Sequence, residues 1–336
     1  MGCEKASQIS YPKSHISNPI SQIPYLKSNK MKKIYFLLIS LFCSLSILQA
    51  QDQAIFTQYH ISPILINPAV AGFTEYHELQ LNVRNQWTGF PGAPLTYAGM
   101  YNGPIGKTLG LGAGLLSENV ASMTRLRFQL NYAFRYQIQN VKVAAGFSTE
   151  FSNLSLNNDV FSNGFYQQGD QVIDDFDQGE KIFDATLGFF ATISDKTFIG
   201  LSFPNLIVAK ISDIESGSNE GSFFKYYIFH VGSKFEFTDA NFSLEPSVML
   251  RSIKDVPFSM DFNLKAGFLD DRLIAGMSYR AGTGGALGLL LGTELDNFRI
   301  FYSYDLSFQD FQQYSSGSHE ATLALRLKGK KKPLGY

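Results

Sequence analysis

Residues 125–136 read RLRFQLNYAFRY, and this stretch decides the fold that the sequence predicts. Its even-numbered residues are all apolar or aromatic, whereas its odd-numbered residues are charged, polar or, at Ala133, small. Because successive side chains of a β-strand point to opposite faces, one face is apolar and the other carries guanidinium and amide groups. In a soluble sheet the apolar face would need a second layer to cover it. In a membrane barrel it faces lipid, and the polar face lines a wet lumen.

The same two-residue period recurs with few breaks from Glu75 to Leu327. In the first alternating stretch, Leu79, Leu81 and Val83 alternate with polar residues. Most of these alternating stretches approach the length of about 9–11 residues that a tilted membrane strand needs. The sequence therefore predicts an all-β fold, a single antiparallel transmembrane β-barrel of about 14 strands (roughly 12–16) over residues 75–328.

The links between the predicted strands differ in length with the parity of the strand. Links after even strands are short, as at 139–140, 195–196 and 270–271, and they contain Asn or Asp, which tolerate tight turns. Links after odd strands tend to be longer, as at 152–180 and 309–317. Outer-membrane barrels show this asymmetry, so we expect short periplasmic turns, longer extracellular loops and both chain ends in the periplasm.

The residues before the barrel predict export. Residues 1–30 are polar and without period, and we interpret them as a mis-called extension before the true start at Met31. Residues 31–50 have the basic start and apolar run of a signal peptide, with cleavage near Ala50. The alternative, a membrane anchor at 34–48, would be short for a span. These features predict a protein of the bacterial outer membrane.

Two further segments flank the predicted barrel. Residues 51–74 are aromatic and rich in proline, with Pro63 and Pro68 excluding a regular helix or a central strand. We expect an N-terminal arm that packs on or in the barrel. Residues 329–336 form a basic tail, predicted to be periplasmic.

The composition fits a barrel better than a helical membrane protein or a nucleic-acid-binding protein. Charged residues make up 17% and aromatic residues 14% of the chain, against roughly 25% charged residues in average soluble proteins. The mean hydropathy is only −0.05, because polar lumen residues offset the lipid-facing ones. A helical membrane protein would show runs of about 20 apolar residues. The formal net charge of −1 gives no field that attracts nucleic acid.

The predicted lumen face carries charges of both signs. We expect the following residues to line it: Arg125, Arg127, Arg135, Asp261, Lys265, Arg272, Arg280, Arg299, Asp305 and Arg326. A selective pore usually favours one sign. A balanced interior indicates ion pairs across the lumen or a plug, and it favours a binding or anchoring barrel over a diffusion pore.

Signals for catalysis or cofactor binding are weak. The sequence has no phosphate-binding loop and no paired histidine motif. His319-Glu320 could be read as a catalytic pair, and the acidic residues 174–180 as a calcium site, but hydrogen bonding at a strand end and a solvated loop explain them better. We expect no enzyme, no cofactor and no metal. An outer-membrane enzyme that uses one of these two groups stays as a distant alternative.

Several stretches resemble the PorP/SprF family of Bacteroidetes outer-membrane proteins. The most specific is 57–72, TQYHISPILINPAVAG, which is similar to the family's N-terminal signature. The block 84–94, RNQWTGFPGAP, resembles the next family block. Near the end, 298–305 (FRIFYSYD) and 317–320 (GSHE) resemble its closing hairpin.

The resemblance implies a role that composition cannot show. It implies an accessory protein of type IX secretion and gliding motility, which supports secretion or surface anchoring of a large adhesin or other client with a type IX C-terminal domain. The implied partners are that client, other type IX components and outer-membrane lipid. A transport barrel for small or hydrophobic solutes is the alternative. The match to the family motifs suggests these partner-binding residues, each of which also has a structural reading: Asn67, Pro68, Ala69, Gly72, Arg84, Asn85, Gln86 and Trp87.

Overall fold

The computed structural model describes residues 56–157, 160, 179–210, 224–254, 256–282 and 284–328. The chain divides into two units, Met1–Leu48 and Gln49–Tyr336, and all described residues belong to the second. The predicted extension, the signal peptide with its cleavage site and the basic tail lie outside the described residues. So do Asp174, Asp175 and Asp177 of the acidic loop.

The described residues form one antiparallel sheet of 16 strands. The strands are β1 (Tyr76–Asn85), β2 (Leu95–Ile105), β3 (Leu109–Val120), β4 (Met123–Ile138), β5 (Val141–Leu156), β6 (Glu180–Ile193), β7 (Thr197–Phe203), β8 (Ala209–Lys210), β9 (Tyr227–Ser233), β10 (Phe235–Phe237), β11 (Phe242–Ile253), β12 (Val256–Phe268), β13 (Leu273–Ala281), β14 (Ala286–Glu294), β15 (Phe298–Ser307) and β16 (Ser318–Lys328).

The sheet closes on itself. The last strand, β16, pairs with β1, and β9 pairs with both β7 and β11. The short strand β8 pairs with β6 beyond β7, and β10 continues the ladder of β9 along β11. Two pairs of strands therefore share positions in the wall, and the barrel has 14 strand positions. The predicted antiparallel barrel of about 14 strands is confirmed.

The burial of side chains confirms the two predicted faces of the wall. In β4, Phe134 and Tyr136 are 68% and 63% exposed on the outside, whereas Asn131 and Ala133 on the inner face of the same strand are both 0% exposed. The core of this protein is thus its lumen, and its apolar surface faces outward. That is the arrangement expected of a barrel in lipid.

The two ends of the barrel differ in their connections. At one end, here called the short-turn end, the strands are joined by turns such as 139–140, 194–196 and 269–272. Asp270 and Asp271 in the last of these turns have φ of 58° and 63°, the left-handed conformation that Asp tolerates in tight turns. At the other, long-loop end, β1 and β15 are followed by the longer loops 86–94 and 308–317. The short-turn end corresponds to the predicted periplasmic side.

The described part of the N-terminal arm lies inside the barrel. It forms three short 3₁₀ helices, Gln58–His60, Pro63–Leu65 and Pro68–Val70, and the last contacts β4, β5 and β6. The sequence left open whether the arm lies in the lumen or beneath it. The structure places it in the lumen. No helix among the described residues is long and apolar enough to cross a bilayer.

Candidate functional site: the filled lumen

The arm runs along the lumen from one end to the other. Thr57 lies beside the ends of β1, β15 and β16 at the long-loop end, and Gly72 reaches the β2–β3 hairpin at the short-turn end. Apolar side chains of the arm enter four clusters with inward-facing wall residues: Tyr59 with Ile228 and Met249; Ile61 with Ile274, Leu290 and Phe301; Ile64 and Ala71 with Met100 and Ala133; and Ala69 with Ala144 and Phe190. The lumen is thus packed like a protein core.

Glycines in the wall make room for the arm backbone. A Cβ at Gly146 would lie 2.4 Å from the Ala69 nitrogen, and one at Gly110 would lie 1.9 Å from the Ala71 oxygen. A Cβ at Gly188 would lie 2.2 Å from Asn67 Oδ1. Only glycine fits at such approaches. The inner wall is therefore shaped to this segment of the chain.

Charged side chains hold the start of the arm in a cluster that we call the clasp: Thr57, Arg84, Asp305 and Glu320. Arg84 donates to Asp305 Oδ2 and to Glu320 Oε2, each over 2.9 Å, and to the Thr57 hydroxyl over 3.0 Å. Thr57 donates its hydroxyl to Asp305 over 2.5 Å and its backbone N–H to Glu320 over 2.7 Å. The clasp joins the arm to β1, β15 and β16, where the barrel closes.

A second ionic network lies nearer the short-turn end on the same side. Arg326 donates to Glu78 over 2.7 Å and to Glu294 over 3.3 Å. Arg299 bridges the same two carboxylates and also donates to the Ile61 oxygen of the arm over 3.3 Å. Two guanidinium groups and two carboxylates thus balance each other. This network ties β1, β14, β15 and β16 to the middle of the arm.

The opposite side of the lumen is less completely filled. A cavity of about 110 Å³ lies between the arm and β4, β5, β6 and β11, toward the long-loop end. Arg127, Glu150, Asp184 and Arg251 contribute polar lining, and Ile66 of the arm contributes apolar lining. Arg127 and Glu150 pair over 2.9 Å. At roughly 30 Å³ for each liquid water, the cavity has room for three or four waters or one small polar group.

The comparison with protein families identifies the barrel. The family model for the type IX secretion system membrane protein PorP/SprF matches residues 48–325. The chain belongs to the PorP/SprF family. This confirms the resemblance seen in the sequence. The family consists of secretion-system membrane proteins rather than enzymes, and the barrel is an outer-membrane protein.

Solved structures similar to this PorP/SprF chain are outer-membrane barrels of low sequence identity. The Acinetobacter baumannii outer membrane protein Omp33 is 8% identical, with a TM-score of 0.44, and the alignment covers 77% of this chain and 100% of Omp33. The CymD monoaromatic hydrocarbon channel is 11% identical, with a TM-score of 0.45, covering 81% and 92%. The Pseudomonas putida toluene transporter TodX is 12% identical, with a TM-score of 0.44, covering 83% and 94%. No curated protein matches the chain.

Nine of the ten residues predicted to line the lumen lie on the wall strands of this PorP/SprF barrel, and most make inward contacts. Asp261 binds Arg280 over 3.0 Å, and Lys265 binds Glu245 over 2.9 Å. Arg127, Arg299, Asp305 and Arg326 make the contacts described above, and Arg125 alternates with the exposed Leu126. Arg135 holds the arm's exit, because it donates to the oxygens of Gly72 and Gly106.

Arg272 is the exception, and its prediction as a lumen residue is wrong. It lies in the turn 269–272 before β13, and its side chain is exposed. Extending the two-residue period back from Leu273 placed Arg272 on the inner face. The turn conformation of the preceding residues takes it out of the strand.

The eight residues suggested as partner-binding fall into two places in the structure. Asn67, Pro68, Ala69, Gly72 and Arg84 lie inside the lumen. Asn67 caps the helix Pro68–Val70 by accepting from the Ala69 N–H over 3.0 Å, and it donates to the Phe189 oxygen over 2.9 Å. Asn85, Gln86 and Trp87 are half-buried at the long-loop end.

The clasp contains a site residue that the sequence reading missed. The sequence places Glu320 beside His319 as a conceivable catalytic pair and within the family-like stretch 317–320, but the two side chains point to opposite faces. Glu320 is buried in the clasp, whereas His319 contacts the Tyr302 hydroxyl over 2.6 Å on the outer face. A signal did exist. The four clasp residues come from four separate stretches that carry the family resemblance, and those stretches meet at one point in space.

The described residues contain no group of three or more His, Cys, Asp or Glu that could hold a metal ion. The lumen holds a segment of the protein's own chain, and paired charges contribute to that hold.

Proposed function

We propose that this PorP/SprF barrel supports the secretion or surface anchoring of a large client protein, an adhesin or another protein with a type IX C-terminal domain. We further propose that it works with its lumen filled, as a fixed component of the outer membrane rather than a conduit. The observation that carries the proposal is the arm, which the clasp and four apolar clusters hold in the lumen. Family membership supports the type IX role.

The contacts of the arm favour a permanent plug. Burying a large apolar side chain contributes about 1.5–3 kcal/mol, and Tyr59, Ile61 and Ile64 are each at most 5% exposed. Withdrawal of the arm would also remove the Thr57 donors from the buried carboxylates of Asp305 and Glu320. Each hydrogen bond to a charged group contributes about 1.5–3 kcal/mol. Together these contacts make spontaneous opening of the lumen rare.

The long-loop end offers the outward surface for a client. The loops 86–94 and 308–317 are joined there by hydrogen bonds, because Thr88 receives one from the Ser316 N–H over 2.7 Å and donates one to the Gly317 oxygen over 2.8 Å. Phe90 and Tyr314 are 46% and 68% exposed on these loops. We propose that a client contacts this joined surface, and that other type IX components contact the short-turn end.

Deletion of the gene tests the proposal. We expect one large protein to disappear from the cell surface or from the medium, with gliding lost if that client is a motility adhesin. Re-expression of the full-length chain is expected to restore both. An unchanged set of surface and secreted proteins would contradict the proposal, and altered uptake of small or hydrophobic solutes in the same strain would favour the transport alternative.

Conductance separates the filled barrel from a pore. The purified protein in a planar bilayer is expected to show little steady current, because the arm occupies the lumen. A large, steady ohmic conductance would contradict the filled lumen and support transport.

A further inference from the structure

We propose that the cavity beside the arm is a binding site for a carboxylate carried on a peptide, held by Arg251. The site lies on the side of the lumen opposite the clasp and toward the long-loop end. The proposal rests on the proposed function for the source of the peptide, which would be an extended segment of the client. The carboxylate could come from an acidic side chain or from a chain terminus.

Arg251 is a buried cation whose charge is not neutralised locally. It is 4% exposed, and both of its hydrogen bonds go to the Ser259 hydroxyl, over 3.3 and 3.1 Å. Among the residues that the structure describes, no carboxylate lies within ion-pair distance of it. The negative charge of Asp261 attracts Arg251 without direct contact, but both carboxylate oxygens of Asp261 accept hydrogen bonds from Arg280. A buried guanidinium without a counter-charge is costly, so the position is suited to an anion.

The other charges around the cavity are engaged or repel a second anion. Arg127 is paired with Glu150 over 2.9 Å, and the two side chains are 17% and 19% exposed, so solvent reaches this wall. Asp184 accepts from Asn205 over 2.7 Å. The carboxylates of Glu150 and Asp184 would disfavour a polyanion such as phosphate. A single carboxylate adds only one negative charge, and it would pair with Arg251, which has no carboxylate partner among the described residues.

The volume and the lining of the cavity fit a short polar group on a peptide. About 110 Å³ admits a carboxylate with a few adjoining atoms. Ile66 of the arm, Ile228 and Ile253 supply an apolar lining beside Arg251. A guanidinium binds a carboxylate through two parallel hydrogen bonds, and the apolar lining would cover the rest of the bound residue.

Calorimetry with matched peptides tests the site on the full mature barrel in detergent. The probes are N-acetyl-Ala-Glu-Ala-amide, its Gln counterpart, and N-acetyl-Ala-Gln-Ala with a free terminal carboxylate. We expect the Glu peptide, the free-acid peptide or both to bind, and the neutral Gln amide to bind at least about tenfold more weakly. Binding of the first alone identifies a side-chain carboxylate, and binding of the second alone identifies a terminus.

Variants assign the binding to Arg251. Arg251→Gln is expected to weaken the carboxylate-dependent binding at least about tenfold, and Arg251→Lys is expected to retain part of it. The control Lys107→Gln removes an exposed cation at the short-turn end and is expected to leave the binding unchanged. Equal binding of the three peptides by the wild-type barrel overturns the proposal even if Arg251→Gln does not fold. Unchanged affinity in a folded Arg251→Gln barrel also overturns it. If the gene deletion removes a surface client while the peptides fail to bind, only this inference fails.

Discussion

The two sides of the lumen are packed in different ways. Beside the closing strands β15, β16 and β1, the charges of the clasp and of the second network are paired with one another and with the arm. On the opposite side, wall glycines and small residues contact the arm backbone, and a cavity remains beside Arg251, whose two hydrogen bonds both go to the Ser259 hydroxyl. The difference teaches that buried ion pairs fasten the arm to the closing strands, whereas close packing and hydrogen bonds to backbone oxygens fit it against the opposite side. The side that is fitted has room for a second molecule.

Arg84→Met tests the fastened side and should have the largest effect. The substitution leaves the buried carboxylates of Asp305 and Glu320 without their cation, which costs about 3–5 kcal/mol when a buried pair is broken. We expect the free energy of unfolding, measured by urea titration of the barrel in lipid, to fall by that amount. Protease access to the arm should rise with it.

Lys107→Met is the matched control for Arg84→Met, since it removes an exposed cation from the turn 106–108. A change of at most about 0.5 kcal/mol is expected there. If the two substitutions lower the free energy of unfolding by the same amount, the clasp does not fasten the arm, and the contrast between the two sides of the lumen disappears.

Gly146→Ala tests the fitted side. The new Cβ would lie 2.4 Å from the Ala69 nitrogen, so the arm or β5 must shift, at about 1–3 kcal/mol for an overpacked core. Gly99→Ala provides the control, because its Cβ would only touch Leu81 at 3.6 Å on the outer face. Equal stabilities of the two variants would show that the arm does not press against this wall.

Asn67→Ala tests a hydrogen-bonded residue of the arm on the fitted side. The variant loses the cap on Pro68–Val70 and the bond to the Phe189 oxygen. Removal of a cap costs about 1 kcal/mol. We therefore expect a decrease of about 1–2 kcal/mol in the free energy of unfolding, smaller than for Arg84→Met. An effect as large as that of Arg84→Met would mean that both sides fasten the arm equally.

The barrel could be predicted from the sequence because its signal is local. Alternation along 125–136 depends only on neighbouring residues, and it placed Asn131 and Ala133 inside and Phe134 outside as the structure has them. The mixed charge of the inner face also indicated ion pairs across the lumen or a plug. The structure contains the plug, whereas the ion pairs described above join adjacent or next-adjacent strands of the wall.

The clasp could not be predicted in the same way. Arg84 meets Asp305 and Glu320 across 221 and 236 residues of chain, and no periodic pattern links them. The arm has no period either, so only the closed wall determines its path. Arg272 shows the limit of a local pattern, since three consecutive left-handed residues before it, Leu269, Asp270 and Asp271, end the alternation that the pattern would extend.

An ion pair outside the lumen provides the smallest effect and a baseline for the others. In the turn 269–272, Asp271 binds Lys234 and accepts from the Ser243 hydroxyl over 2.5 Å. Partial burial would raise the pKa of Asp271, but the hydrogen bonds from Lys234 and Ser243 outweigh it and hold the pKa below its ordinary value. A lowered carboxylate pKa stabilises the fold above the unfolded-state pKa, and this contribution is lost as the pH falls through the folded-state pKa.

Asp271→Asn should therefore lower the free energy of unfolding at pH 7 by at most about 1 kcal/mol, as for exposed ion pairs. The difference from wild type should shrink in unfolding curves taken at pH 3 and in high salt, because the wild-type carboxylate is then progressively protonated or screened. A loss at pH 7 as large as that of Arg84→Met would show that burial in the lumen does not set the strength of the clasp. The contrast between the fastened and fitted sides would then need another cause.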